Sequence, residues 1–134
     1  MTDQALGASL RAKAQGPKSD KLRADLASLD NELAEWVDGF GFGRVWSRKG
    51  LPFEQRMMVA IVALASIGAT GQLRNYLFGA IHADMDPRAI HEALVMICLY
   101  AGFPAAIQSL QVWREVIAAV ERSGKAVDLD QPGS

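Results

Sequence analysis

Residues 57–82 read MMVAIVALASIGATGQLRNYLFGAIH. The first half is apolar on every side of a helix except at Ser66. A short turn through Gly68, Thr70 and Gly71 leads into a second helix with a mixed face. On that second helix Gln72 and Tyr76 are four residues apart and sit one above the other. Asn75 and Gly79 fall beside them, and Gly79 leaves space where a side chain would otherwise stand. A polar strip next to a gap, backed by an apolar helix, is one way a pocket is built in a helical bundle. The same strip, as the polar side of an amphipathic helix, would serve equally to meet water or a neighbouring subunit.

Working outward, Pro52 and Glu54 open the apolar helix, with proline at its start and a carboxylate favourable for the helix dipole. Upstream, GFGFGRVWSRKGLP (39–52) alternates three glycines with Phe40 and Phe42, and this density predicts a loop or irregular turn. Its aromatics predict that the loop packs down onto the bundle. Before it, Leu22, Leu26, Leu29, Leu33 and Trp36 fall on one helical stripe. Ser19 or Asp20 can cap that helix, and Asp30 can cap a second, so one bent helix or two short ones fit. Downstream, Asp86-Pro87 starts a helix that runs through Ile90, Leu94 and Ile97 to Tyr100. Gly102-Phe103-Pro104 ends it and begins the last helix, whose apolar side carries Ile107, Leu110, Val112, Trp113, Ile117 and Val120. Gly124 is its stop. No stretch alternates with period two. The expectation is an all-α, compact bundle of five to seven helices. Its domain is expected to span 19–124, after a flexible arm (1–18) and before a polar tail (125–134).

Two segments, 57–67 and 93–103, are apolar all round, and such helices must be buried on all sides. A chain of 134 residues buries only about two-thirds of its unfolded surface. It can enclose one such helix but hardly two, which predicts that further copies cover the rest.

Composition narrows the function. Half the residues are apolar and the formal net charge is −1, which argues against nucleic acid as a partner. Apolar runs are too short to span a bilayer and the N-terminus lacks a signal-peptide core, so no membrane role and a cytoplasmic location are expected. Cys98 is the one cysteine; it permits no intramolecular disulfide and reads as a small core residue. His82 and Asp84 point in different directions, and His91 has no partner one turn on, so no metal site is expected. Arg44 and Arg48 lie near the aromatics of 39–52 and are either solvated charges or holders of a carboxylate. Trp46 is either core or a platform for substrate.

Four stretches carry a resemblance. They are Gly43–Leu51 (GRVWSRKGL), the helix opening at Gln55 (QRMMVA), Leu73–Ala80 (LRNYLFGA) and Tyr100–Ala106 (YAGFPAA). Together they resemble the carboxymuconolactone decarboxylase family, within the alkylhydroperoxidase-like superfamily, over roughly residues 29–120. The resemblance implies an all-α bundle assembled as a homotrimer or homohexamer and acting on a small molecule without a cofactor. In the peroxidase branch a CxxC pair, a glutamate and a histidine do the chemistry. Their positions here hold Ala69 and Gln72, Met57 and Tyr76, which excludes thiol peroxidase chemistry. The decarboxylase branch keeps a histidine where this chain has Tyr76, and an arginine where it has Phe78. Arg48, Arg74 and Trp46 fit that branch. The resemblance therefore implies decarboxylation, or related lyase or isomerase chemistry, through an enolate. Tyr76 and Gln72 would be catalytic, and Arg48, Trp46, Arg74, Asn75 and Met57 would bind a keto acid or lactone. A non-catalytic, oligomeric or ligand-binding member is the alternative.

Overall fold

In the computed structural model, which describes residues 1–130, every regular element is a helix and no strand occurs among the described residues. The order is α1 (Asp3–Gln15), a 3₁₀ turn (Gly16–Lys18), α2 (Ser19–Leu29), α3 (Asn31–Trp36), a π-type helix (Val37–Trp46), α4 (Phe53–Ser66), α5 (Thr70–His82), α6 (Pro87–Tyr100) and α7 (Phe103–Arg122). The expected polar tail, 125–134, is described only as far as residue 130. No helix among the described residues is long and apolar enough to cross a membrane.

Helices α4 to α7 form the body, and their local signals act as read. The Asp86 carboxylate caps α6 by accepting from the Arg88 backbone N–H at 3.0 Å. Gly102, at φ 101°, makes the reversal into α7 that a side chain would strain. The core is built from Met57, Ile61, Leu73, Leu77, Ile90, Leu94, Trp113 and Val120, all essentially sealed from solvent. Asp30 splits the Leu22-to-Trp36 stripe into two helices. Its extended backbone breaks the first, and its side chain caps the second at the Leu33 N–H, 2.9 Å away.

Two expectations give way. Residues 1–18 are not a loose arm: α1 is a capped helix, with Thr2 Oγ1 accepting from Ala5 N–H at 3.1 Å. It docks chiefly on the π helix and also on α5. The contact surface is made by Gly7, Arg11 and Ala14 rather than by a leucine stripe, so hydrophobic periodicity does not reveal it. Residues 37–46 are likewise not loop but continuous helix. Their glycines serve close backbone approach: a Cβ on Gly43 would overlap the Asp3 carbonyl, and one on Gly7 the Asp38 carbonyl. The α1 to π-helix seam is locked by a buried ionic cluster. Arg11 Nε donates to Asp38 Oδ1 at 2.6 Å and Nη1 to the Ser19 carbonyl at 2.8 Å and to the Ser19 hydroxyl. Arg23 Nε meets the other Asp38 oxygen at 3.2 Å.

The apolar-all-round helices are only half enclosed. Val59 on α4 and Ile67 just after it are exposed; on α6, Val95, Met96, Leu99 and Tyr100 are; Phe103 and Ile107 continue the strip onto α7. Leu29, Leu33 and Trp36 of the leucine stripe are exposed as well.

Candidate functional site

The π helix ends at Trp46, and the end of that helix places its indole at the centre of an aromatic cluster. Its ring lies 5.1 Å from Phe42 and 6.1 Å from Phe53. It stacks on Tyr76 of α5 at 6.1 Å with 21° between the planes. Trp46 is a half-buried packing residue of this cluster. On one flank it lines a cavity of about 260 Å³ with Leu6 and Leu10 of α1, Ser47, Leu51, Phe53 and Arg56. Tyr76 does not line that cavity.

Burial pushes the Tyr76 phenol up to about 12. No cation or hydrogen-bond donor among the described residues offsets that desolvation, so the group stays protonated near neutrality. It is a donor there and not a base.

The remaining expected residues divide. Asn75 is half-buried beside Tyr76 on α5. Arg74 is taken up by Glu115 of α7 at 2.7 Å. Arg48 is exposed, with no ion pair among the described residues. Gln72 is exposed too, so it does not face an enclosed hollow with Tyr76 in the single chain. Met57 is 0 % exposed and belongs to the core, out of reach of a ligand. The gap at Gly79 is not part of a pocket either. The Ala14 carbonyl fills it, and Gln15 Cα would lie 3.0 Å from a Cβ placed there.

Arg56 escaped the sequence reading. Its Nε donates to the Leu51 carbonyl at 3.0 Å and its Nη2 to the Arg48 carbonyl at 2.6 Å. It thereby holds the turn between the π helix and α4, while Nη1 makes no hydrogen bond among the described residues. The signal was present, since Arg56 stands second in the QRMMVA stretch that opens α4. Leu6 and Leu10 carried no such signal, because only the docking of α1 brings them here. No group of three or more metal-ligating side chains occurs among the described residues.

Comparison with known proteins converges on the same segment. The model of the carboxymuconolactone decarboxylase family matches residues 31–115, from α3 into α7, taking in Trp46, Arg56 and Tyr76. The chain is 26% identical over 125 residues to 4-carboxymuconolactone decarboxylase from Acinetobacter baylyi, covering 92% of this chain and 93% of that one. It is 28% identical over 85 residues to nitrosuccinic acid decarboxylase npaB from Metarhizium robertsii, covering 63% of this chain and 57% of the relative. An uncharacterized 15.0 kDa protein of Paracoccus denitrificans is 30% identical over 79 residues, 58% of this chain and 59% of its own length.

Proposed function

The chain belongs to the carboxymuconolactone decarboxylase family, and from that premise we propose that it is a decarboxylase-like enzyme. It acts without a cofactor on a small keto acid or lactone. The observation that carries this reading is Tyr76, stacked on Trp46 and held protonated with its pKa at about 12. In the step envisaged, the bond from the carboxylate carbon to its neighbour breaks and carbon dioxide leaves. The electron pair passes into the conjugated carbonyl as an enolate, and a proton is then added at carbon. An enolate needs donors aimed at the oxygen where charge develops. A protonated tyrosine supplies one, and it can deliver its proton to carbon and regain one from water. Arg48 and the unused Nη1 of Arg56 would hold the carboxyl end, and Trp46 would be the apolar wall.

Gln72, exposed in one chain, would join the site only where a second copy closes over α5. Assembly as a homotrimer or homohexamer is therefore part of the proposal. It is supported by the exposed apolar strip of α4, α6 and α7.

The test is carbon dioxide release from a panel of lactones and small keto and nitro acids, 4-carboxymuconolactone and nitrosuccinate among them. For any compound turned over, Tyr76→Phe should lower kcat by about 100-fold or more, the usual worth of a placed acid or donor. Undiminished turnover in that variant rejects the assigned site. One observation favours the second reading, a ligand-binding member without turnover: no described residue hydrogen-bonds Tyr76 to tune it. Saturable binding with no carbon dioxide from any compound would establish that reading.

A further inference from the structure

A second cavity, about 500 Å³, opens between α6, α7 and the segment that follows α7. It shares no lining residue with the Trp46 cavity. Its walls are aliphatic, from Ile107, Leu110, Ile117 and Leu129, with the indole of Trp113 among them. Two of the residues lining it carry a buried ring nitrogen with no hydrogen-bond partner among the described residues, Trp113 Nε1 and His91 Nδ1, each sealed from the cavity by its surroundings. Trp113 is only 2 % exposed. Buried polar groups are nearly always paired, so an orphaned indole N–H beside an apolar cavity calls for an acceptor. Arg114 stands at the rim, exposed and without an ion pair among the described residues. His91 and Leu129 also line a smaller, more polar recess with Arg88, Glu92 and Asp130.

We propose that this cavity binds a small monocarboxylic acid with an apolar body. The chemistry of the wall sets each part of that ligand. Indole N–H and guanidinium are donors only, and the lining Gln111 can add its amide N–H, so a ligand with acceptors suits the polar side. Among the described lining residues Arg114 is the one side chain of fixed charge, and a single carboxylate is the anion it matches. The aliphatic walls take the hydrocarbon body, and the volume is in the range of small-molecule sites. The carboxylate pairs with Arg114 at the rim, and a small turn of the adjacent Trp113 indole would bring its buried Nε1–H within reach, as would a turn of His91 in the form that carries its proton on Nδ1.

The experiment follows the indole N–H resonances of Trp36, Trp46 and Trp113 by ¹H–¹⁵N correlation while the intact protein is titrated with decanoate. Trp113→Phe assigns the signal. The Trp113 resonance should move downfield and saturate, with Trp46 unmoved. Arg114→Gln should weaken decanoate at least tenfold, and decanol should bind at least tenfold more weakly than decanoate. Tyr76→Phe should titrate as the parent does, which separates this site from the proposed reaction centre. An unmoved Trp113 signal at millimolar decanoate, or equal binding of decanol, overturns the proposal. So does a Trp113 signal that follows protein concentration rather than decanoate, because the cavity would then be a seam between copies. The comparison of decanoate with decanol is made on the parent protein alone, so it decides the proposal even where Trp113→Phe or Arg114→Gln fails to fold.

Discussion

Replacing Gly79 by alanine puts two physical effects in opposition, and the sign of the result separates them. Gly79 lies inside α5, where alanine is favoured over glycine by about 1 kcal/mol. Helix propensity alone therefore predicts a more stable protein. Packing predicts the reverse. A Cβ at Gly79 would overlap the Ala14 carbonyl, with the Ala14 carbonyl carbon 2.8 Å and Gln15 Cα 3.0 Å away. These are backbone atoms, and no rotamer change clears them. Helix α1 must back away by roughly 1 Å, a gap that forfeits a quarter to a half of each dispersion contact along the seam. If α1 stays docked in a strained position, overpacking costs about 1–3 kcal/mol, which leaves about 0–2 kcal/mol net of the helix-propensity gain. If it lifts off, Arg11 leaves Asp38, a pair now 2.6 Å apart. Breaking such a buried pair costs about 3–5 kcal/mol. The assay is urea unfolding at constant m-value, together with hydrogen exchange of the α1 amides. The expected result is lift-off, because the overlap is with backbone: a fall of about 2–4 kcal/mol, with protection lost first in residues 3–15. Gly71→Ala is the control, because a Cβ there meets nothing within 4 Å. A Gly79→Ala protein as stable as the parent, with α1 still protected, would refute the claim that α1 is seated on this glycine.

Three further outcomes follow from the same structure. Asp38→Asn removes the charge that two arginines share, and urea unfolding should show a loss of about 3–5 kcal/mol, as for a buried pair deprived of one partner. Tyr76, its pKa raised by burial to about 12, should add a pH dependence: the folded state holds this proton more tightly than the unfolded chain. That stabilisation is complete below about pH 10 and is lost as pH rises through 12. Unfolding measured across that window should fall more steeply for the parent than for Tyr76→Phe, and equal slopes would contradict it. Leu99→Glu places a charge in the exposed strip of α6, where Leu99 is 75 % exposed. Light scattering should then report smaller particles than for the parent, with little change in helix content by circular dichroism.

What the chain declares on its own is local. The Asp86-Pro87 start, the Gly102 reversal and the apolar periodicity of α4 to α7 are each written within a few residues. Backbone geometry and burial of a helix face need no distant partner to be read. Membership of the family was legible for the same reason, from short stretches around Trp46, Arg56 and Tyr76. The pairing of Trp46 with Tyr76 is different: both residues were singled out, yet their stacking depends on how the π helix meets α5. Only the fold decided what the glycines do. In sequence Gly43 reads as part of a loop and Gly79 as a gap; in three dimensions these two, and Gly7, are places where one backbone lies against another. The same holds for Met57, sealed in the core, and for Gln72, left at the surface, because solvent access belongs to the whole assembly of helices and not to a position in the chain. Close approach and enclosure are relations between segments far apart in sequence, and no local pattern encodes them.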